Sequence, residues 1–331
     1  MKRTFALAPG VGLMVEASGL AARHFVAEYG RSPDSRSPDS SVPPAMRLRV
    51  GPAARLADSK HGTHTARTFV GGHRLARWRV SMRLDADATS VSCALQVIGP
   101  LGLPLVQSMV IEPLLSITTP AAGRVLLPGA LVEASDGPVL VLGLSGTGKS
   151  TLALRAAAAN RPLAADDQIL VASDGACAGL SRRLRVYGDL PRVVPEAHAL
   201  LPAATRRQVA LAGVVTRLSG GRVSPPVTVS PAALDTHASP PGRDMRPVRA
   251  LLLDAGRSRA RIGAAELVAG ALGLLAEQRA RLIAAGVSPP TVTLERETMI
   301  LETALGHLEA ERVDLRRTAD PIGALERPVG A

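Results

Sequence analysis

The feature that most constrains this chain is a glycine-rich segment between a strand pattern and a helix pattern. Its residues 137–151 read GPVLVLGLSGTGKST. Val139–Leu142 is an apolar run typical of a buried strand, and strong helix formers follow Gly148. Residues 143–150 fit the pattern G-x-x-x-x-G-K-[ST], known as Walker A. The segment therefore predicts an α/β fold in which a short loop joins a buried strand to a helix.

The residue types of this pattern match the chemistry of a bound triphosphate. Glycines let the backbone curl so that N–H groups face phosphate oxygens, and the helix N-terminus adds the positive end of its dipole. Lys149 is expected to bind the β- and γ-phosphates of ATP, and Ser150 to give a hydroxyl ligand to Mg²⁺. The predicted nucleotide-binding residues are Gly143, Leu144, Ser145, Gly146, Thr147, Gly148, Lys149, Ser150 and Thr151.

Aspartates in two places could complete such a site. Asp166 and Asp167 follow Lys149 by 17 and 18 residues, a gap that fits one helix and one short strand. We therefore expect both at the tip of a strand beside the strand that enters the loop. One carboxylate could hold Mg²⁺ while the other accepts a proton from an incoming hydroxyl. Asp254, which ends the apolar run Ala250–Leu253, is the alternative metal ligand.

The net charge of +11 does not by itself indicate a nucleic-acid partner. Of the 39 basic residues, only Lys2, Lys60 and Lys149 are lysines, and the arginines form no dense basic tract. Aromatic residues make up 2% of the chain, so few side chains could stack on bases. We expect no nucleic-acid partner, because a basic surface of this kind is better suited to phosphorylated or acidic ligands.

The cysteines and the apolar runs bear on the compartment. Cys93 and Cys177 are far apart and lack metal-ligand spacing, as is typical of proteins in a reducing compartment. No apolar run reaches the roughly 18 residues that a membrane span needs. Two basic residues and then apolar ones begin the chain, but Pro9 and Glu16 interrupt them, which argues against a signal peptide. We predict a cytoplasmic protein that does not bind or cross a membrane.

Residues 1–110 read as a smaller β-rich region. Segments such as MRLRV and ARWRVSMRL have strand character and are separated by Gly and Pro turns. A tandem RSPDS repeat followed by prolines predicts a disordered loop near 31–45. His61 and His64, in KHGTH, are the metal candidates of this region, and without a third ligand we interpret them as a solvated pair.

Residues 111–331 mix strand and helix patterns, which predicts an α/β domain. The segment IEPLLSITTPAAGRVLL reads as a helix that leads into a strand. A long amphipathic helix is expected through AAELVAGALGLLAEQRARLIAAG, ending at Gly286. ERVDLRR is the predicted last strand.

The spacing of the glycine-rich segment and the aspartates resembles a known family. Walker A followed closely by LAADD looks like the catalytic domain of bacterial HPr kinase/phosphorylase and its relatives. These are P-loop proteins related in architecture to phosphoenolpyruvate carboxykinase. The similarity runs through IEPLL (111–115), RVLLPGALV (124–132), the P-loop and LAADDQILV (163–171). It implies an α/β P-loop domain of the HPr kinase/phosphoenolpyruvate carboxykinase type over residues 111–331.

The resemblance also implies an activity, which is ATP-dependent transfer of the γ-phosphoryl group to a serine hydroxyl of a protein or peptide. By this resemblance Lys149 binds phosphate, Ser150 and Asp167 hold Mg²⁺, and Asp166 is the catalytic base. The two aspartates could exchange these roles. The implied partner is a protein or peptide phosphoacceptor, and a homo-oligomer stays open.

The chain departs from the family pattern at two places. Pro128 stands where the family has a histidine before the P-loop, and LRVYGDLPRVVPEA replaces a glutamate-rich segment, where Asp189 or Glu196 could substitute. Two alternatives therefore stay open: a catalytically impaired ATP-binding regulatory protein, and a small-metabolite kinase or general P-loop ATPase that uses Asp254. Arginines that could stabilise transition-state charge are Arg182, Arg183, Arg192, Arg206 and Arg207.

Overall fold

A computed structural model of the chain describes most of its 331 residues. The described residues are 1–30, 44–52, 54–56, 64–73, 76–99, 102–180, 183–229, 234, 244–318 and 320–326, with the backbone alone at 64 and 65. Most of the predicted disordered loop lies outside them, and so do His61, the side chain of His64, and Arg182. The described part is a mixed α/β structure with several sheets and a β-rich N-terminal region.

The N-terminal region forms a six-stranded sheet, which confirms the predicted β-rich character. Its strands are β1 (Lys2–Ala8), β2 (Val11–Ala17), β3 (Pro44–Val50), β4 (His64–His73), β5 (Ala76–Asp85) and β6 (Val91–Ile98), in the order β1-β2-β3-β6-β5-β4. Along β5, Trp78, Val80 and Met82 are buried while residues 77 and 79 are exposed, as expected for a strand with one face on a core. Helix α1 (Gly19–Tyr29) buries Phe25 against this sheet.

A helical segment connects this sheet to the rest of the chain. It consists of α2 (Gly102–Val106), a π-helical turn (Gln107–Ile111), α3 (Glu112–Thr118) and a 3₁₀ turn (Thr119–Ala122). The segment spans the predicted boundary after residue 110, and the division into two domains stays a prediction. Its buried residues Val110 and Leu114 share one hydrophobic core with Leu48 of the N-terminal sheet and Leu170 of the next sheet.

The second sheet has nine strands and carries the glycine-rich segment at its centre. Its strands are β7 (Arg124–Ala134), β8 (Gly137–Gly143), β9 (Leu163–Ala165), β10 (Gln168–Ala172), β11 (Cys177–Gly179), β14 (Asp244–Met245), β15 (Arg249–Leu253), β16 (Ala260–Ile262) and β17 (Glu309–Val313). They are ordered β14-β11-β10-β7-β8-β15-β17-β16, with β9 paired to β7. β8, β15 and β17 are parallel, whereas β7 is antiparallel to both β8 and β10. Two further strands, β12 (Leu184–Val186) and β13 (Val227–Val229), form a separate pair.

Helices cover both faces of the nine-stranded sheet. They are α4 (Lys149–Ala158), α5 (Leu190–Val193), α6 (Pro195–Leu200), α7 (Ala203–Leu218), α8 (Ala264–Ala284) and α9 (Thr291–Leu305), and a 3₁₀ turn (Gly323–Leu325) lies near the end. Because side chains alternate along β8, Val141 packs with the α4 side and Leu140 with the α8 and α9 side. A buried ion pair between Arg279 and Glu297 joins α8 to α9.

The sequence patterns predict several of these elements and miss others. The helix before β7, the strand β8 and helix α4 are confirmed, whereas the predicted strand ERVDLRR (311–317) is a strand only over its first three residues, at the end of β17. α8 is also confirmed, with Gly286 just beyond its end at φ +80°. The patterns do not predict α7 or α9. Among the helices of the described residues, none is long and apolar enough to cross a membrane.

Candidate functional site

The glycine-rich loop connects the end of β8 to the first residue of α4. Gly146 and Gly148 have φ values of +84° and +104°, in the left-handed region that favours glycine. At Gly143 a Cβ atom would lie 2.7 Å from the Thr147 hydroxyl oxygen, so a side chain there would clash with the loop. Thr147 closes the loop by donating its hydroxyl to the carbonyl oxygen of Leu144 at 2.8 Å. The loop conformation thus depends on glycine at these positions.

Lys149 lies buried at the base of this loop. Its Nζ atom donates hydrogen bonds to the carbonyl oxygens of Gly143 at 2.7 Å and Leu144 at 2.8 Å. Burial lowers the pKa of Lys149 from its ordinary value, and the nearby carboxylates of Asp167 and Asp166 oppose that shift. The structure therefore places a desolvated cation between the loop and the two aspartates.

The two predicted aspartates lie where the chain passes from β9 to β10. Both of these strands pair with β7, with Ala165 opposite Leu131 and Gln168 opposite Pro128. Ser150 donates its hydroxyl to Asp166 Oδ1 at 3.0 Å. Asp167 has φ +82°, a conformation that is unusual for a residue with a side chain, and its carbonyl oxygen accepts the amide of Gly129 at 3.1 Å.

The expected position of the aspartates is therefore only partly right. The sequence places them at the tip of a strand beside β8, but β7 lies between β8 and the strands that flank the aspartates. The reason is the tight hairpin before the loop. Because β7 pairs with β8 from Gly129 to Ala134, it occupies that edge of β8, and α4 has to cross over β7 before the chain returns.

A cleft of about 800 Å³ opens above the loop and the aspartates. Its lining includes Lys149, Ser150, Asp166, Asp167 and Pro128. Pro128, which stands at the position of the family histidine, thus faces the same cleft as the candidate catalytic residues. The cleft is also lined by residues of β12 and its flanks (Arg183, Arg185, Tyr187, Asp189), of α8 (Leu274, Glu277, Gln278) and of the N-terminal region and helical connection (His73, Pro104, Leu105, Ser108, Glu112).

Some predicted residues lie away from the cleft. Asp254 follows β15, the parallel neighbour of β8, but its carboxylate pairs with Arg257 at 3.1 Å and its amide donates to the Val313 carbonyl oxygen. Asp254 is not among the described residues that line the cleft, and neither are Glu196, Arg192, Arg206 and Arg207.

Arg183 does line the cleft, where the N-terminal region holds it. Its Nε and Nη2 atoms donate to Glu28 Oε1 of α1 at 2.9 and 2.7 Å. Glu28 is buried, so this ion pair fixes the position of the guanidinium group. The next arginine along the strand, Arg185, donates to the Pro104 carbonyl oxygen at 3.4 Å.

Sequence reasoning missed the segment that follows β17 and supports the loop. The carboxylate of the buried residue Asp314 accepts the amides of Gly256 at 2.8 Å and Arg316 at 3.0 Å, and these bonds lower its pKa. Arg316 in turn donates to the Gly146 carbonyl oxygen at 3.2 Å. A Cβ atom on Gly148 would lie 3.2 Å from Leu315 Cδ1. In the sequence, Asp314 lies inside the predicted strand ERVDLRR, and the polar segment EAERV before it gives no sign of this role.

Comparisons with known proteins add no identification. No family model matches the chain. No curated protein matches it either.

Proposed function

We propose that the chain is an ATP-dependent kinase with a P-loop domain of the HPr kinase/phosphoenolpyruvate carboxykinase type. It would transfer the γ-phosphoryl group to a serine hydroxyl of a protein or peptide. The observation that carries this proposal is the Ser150–Asp166 hydrogen bond of 3.0 Å at the start of α4, with Lys149 buried beside it. A cleft of about 800 Å³ has the size of a small-molecule site.

Each group has a role that its chemistry supports. The first amides of α4 lack intrahelical acceptors, so together with Lys149 they suit the phosphates of ATP. The hydroxyl of Ser150 and the carboxylate of Asp166 are hard oxygen ligands held side by side, and this donor set fits Mg²⁺. Bound Mg²⁺ would neutralise charge on the phosphates. The contact favours Asp166 as metal ligand and Asp167 as base, the exchanged assignment that the resemblance left open.

In the proposed reaction, the acceptor hydroxyl oxygen bonds to the γ-phosphorus while the bond from that phosphorus to the bridging oxygen of ADP breaks. The hydroxyl proton passes to the carboxylate of Asp167, and ADP leaves. Lys149 stabilises the negative charge that develops on the phosphoryl oxygens.

A second candidate is an ATP-binding regulatory protein without phosphotransfer. The observation that favours it is Pro128, which lines the cleft beside the aspartates and pairs with Gln168 of β10. A proline side chain can neither carry a proton nor donate a hydrogen bond to a phosphate. Under this candidate the cleft would bind ATP and couple binding to a partner.

One experiment separates the two candidates. Purified protein is incubated with γ-labelled or α-labelled ATP, Mg²⁺ and a lysate of its host, and ATP binding is followed with a fluorescent analogue. The kinase proposal expects acceptor labelling from γ-labelled ATP alone, and loss of that labelling in Asp167→Asn with analogue binding kept within about threefold. Analogue binding without any acceptor labelling would contradict the kinase proposal and support the regulatory one.

A further inference from the structure

The outward face of α7 carries an apolar stripe. Leu211, Val214, Val215 and Leu218 are spaced i, i+3, i+4 and i+7, so they lie on one face of the helix. These four residues are 64%, 40%, 37% and 84% exposed, in that order. Such positions on a surface helix are usually polar, and a contiguous exposed apolar group marks an interaction site more often than a scattered one.

The opposite face of α7 already has its packing partners. Val209 and Ala212 are buried in the core on the α4 side of the nine-stranded sheet, and Thr216 is half-buried there. α7 therefore does not need the outward stripe to hold it on the protein. A second apolar face on a helix that is already anchored is best explained by a second binding partner.

The charges around the stripe favour an acidic partner. α7 contains no acidic residue, whereas Arg206, Arg207 and Arg217 are all exposed, and Arg222 follows in the next turn of chain. Arg207 lies one helical turn before Leu211 on the stripe itself. Since α7 and the whole chain, at +11, carry the same sign of charge, a second copy of this chain would bring arginines against arginines.

Helix α7, which carries the stripe, also packs against a segment that lines the cleft. The backbones of Gly188 and Gly213 touch, because a Cβ atom on Gly188 would lie 2.3 Å from the Gly213 Cα atom. Gly188 lies between Tyr187 and Asp189, which both line the cleft, and Ser224 beyond the end of α7 lines it too. A segment bound along the outward face of α7 therefore lies on a helix whose other side packs against the wall of the cleft.

We propose that the outward face of α7 docks an acidic amphipathic helix of the phosphoacceptor, which is thus a protein or peptide and not a small metabolite. Leucine-like side chains of that helix would pack on Leu211 and Leu218, and its carboxylates would pair with Arg207 and Arg217. The recognition mode is helix against helix, with a few apolar anchors and flanking charges. The docking surface itself stands without the kinase proposal, and only the identity of its occupant as the acceptor rests on it.

The test uses synthetic 18-residue peptides and the full chain. The probe peptide has leucines at i, i+3, i+4 and i+7, glutamates on the flanks and a serine after the helix, with a fluorescein label for anisotropy. Two comparison peptides replace every glutamate by lysine or scramble the leucines off one face. We expect the acidic peptide to bind at least tenfold more tightly than either comparison peptide, with affinity that falls as salt is added.

Variants of the protein then assign the binding to α7. The double variant Leu211→Ser with Leu218→Ser should weaken binding of the acidic peptide at least tenfold. The double variant Arg207→Ala with Arg217→Ala should reduce the dependence of peptide affinity on salt. Met299→Ser, on α9 and 61% exposed, is the matched control and should have no effect. Because all these side chains are exposed, the melting temperature of every variant should match that of the unchanged protein.

Other outcomes overturn the docking proposal. Equal binding of the lysine peptide would remove the charge argument, and binding of vesicles with 30% phosphatidylserine but no peptide would assign the stripe to a membrane surface. A dimer that Leu211→Ser with Leu218→Ser dissolves would assign it to a second copy. Peptide binding is measured without ATP, so it does not depend on phosphoryl transfer. Peptide binding without phosphoryl transfer would therefore refute the kinase proposal and leave the docking proposal standing. Serine labelling that is unaffected by the α7 variants would refute docking alone.

Discussion

Asp166 and Asp254 offer a comparison between two flanks of β8. Asp254 follows β15, the strand hydrogen-bonded to β8, whereas Asp166 lies beyond β7, one strand further away. Yet Asp166 accepts the hydroxyl of Ser150 and lines the cleft, while Asp254 pairs with Arg257. Distance along the sheet therefore does not decide which carboxylate meets the loop.

Asp166→Asn is expected to have the largest effect on activity, and it tests directly whether Asp166 and not Asp254 serves the loop. If the carboxylate holds Mg²⁺ beside Ser150, the substitution should lower the rate of acceptor labelling about a thousandfold. The change removes charge and keeps shape, so the melting temperature should stay close to that of the unchanged protein. The rate is measured with γ-labelled ATP at saturating acceptor. A loss of less than tenfold would place the metal ligand elsewhere.

Lys149→Met is expected to have the second largest effect, now on binding. Removing the cation should weaken the binding of ATP about a hundredfold, because a charge-assisted contact to the phosphates is lost. Stability should change little, since the two lost hydrogen bonds to the loop carbonyls are offset by relief from burying a charge. Calorimetric titration with ATP and thermal denaturation check the two parts. Unchanged ATP affinity would argue against the loop as the phosphate site.

The loop and the aspartate pair show what a local pattern can predict. Residues 143–151 are contiguous, so their strand, turn and helix follow from neighbouring residues alone, and the structure has all three. The insertion of β7 between β8 and β10 could not be predicted in this way. Strand order depends on contacts between distant segments, and the antiparallel register of Gln168 with Pro128 leaves no mark in either segment.

The two missed helices have different physical causes. α7 has apolar residues on both faces, which blurs the amphipathic period that a sequence reading depends on. α9 contains four threonines in 15 residues, and threonine has low helix propensity. Tertiary contacts override that propensity, because Glu297 of α9 pairs with Arg279 in the protein interior and Ile300 and Leu301 are buried.

Asp314→Asn tests the segment after β17, which lies on the β15 side of β8. We expect this segment to support the loop without contributing a residue to the cleft. An asparagine retains one acceptor oxygen, so it cannot keep both amide contacts, to Gly256 and Arg316, in their charge-assisted form. The segment that touches Gly146 and Gly148 should then loosen, and ATP should bind about fivefold more weakly. The dissociation constant for ATP is measured beside the labelling rate at saturating ATP. A rate that falls while affinity holds would show that Asp314 does more than support the loop.

Asp254→Asn should give the smallest effect, and it sharpens the comparison most directly. The carboxylate is partly exposed and its pair with Arg257 is a surface contact between residues three apart, which contributes little to stability. The hydrogen bond from the backbone amide of Asp254 to the Val313 carbonyl oxygen does not involve the side chain and is kept in the variant. We therefore expect ATP affinity, Mg²⁺ dependence and labelling rate all to stay within about twofold. If Mg²⁺ dependence were lost in Asp254→Asn but kept in Asp166→Asn, the metal would belong to the strand-end aspartate, and the chain would be an ATPase or metabolite kinase of the alternative kind.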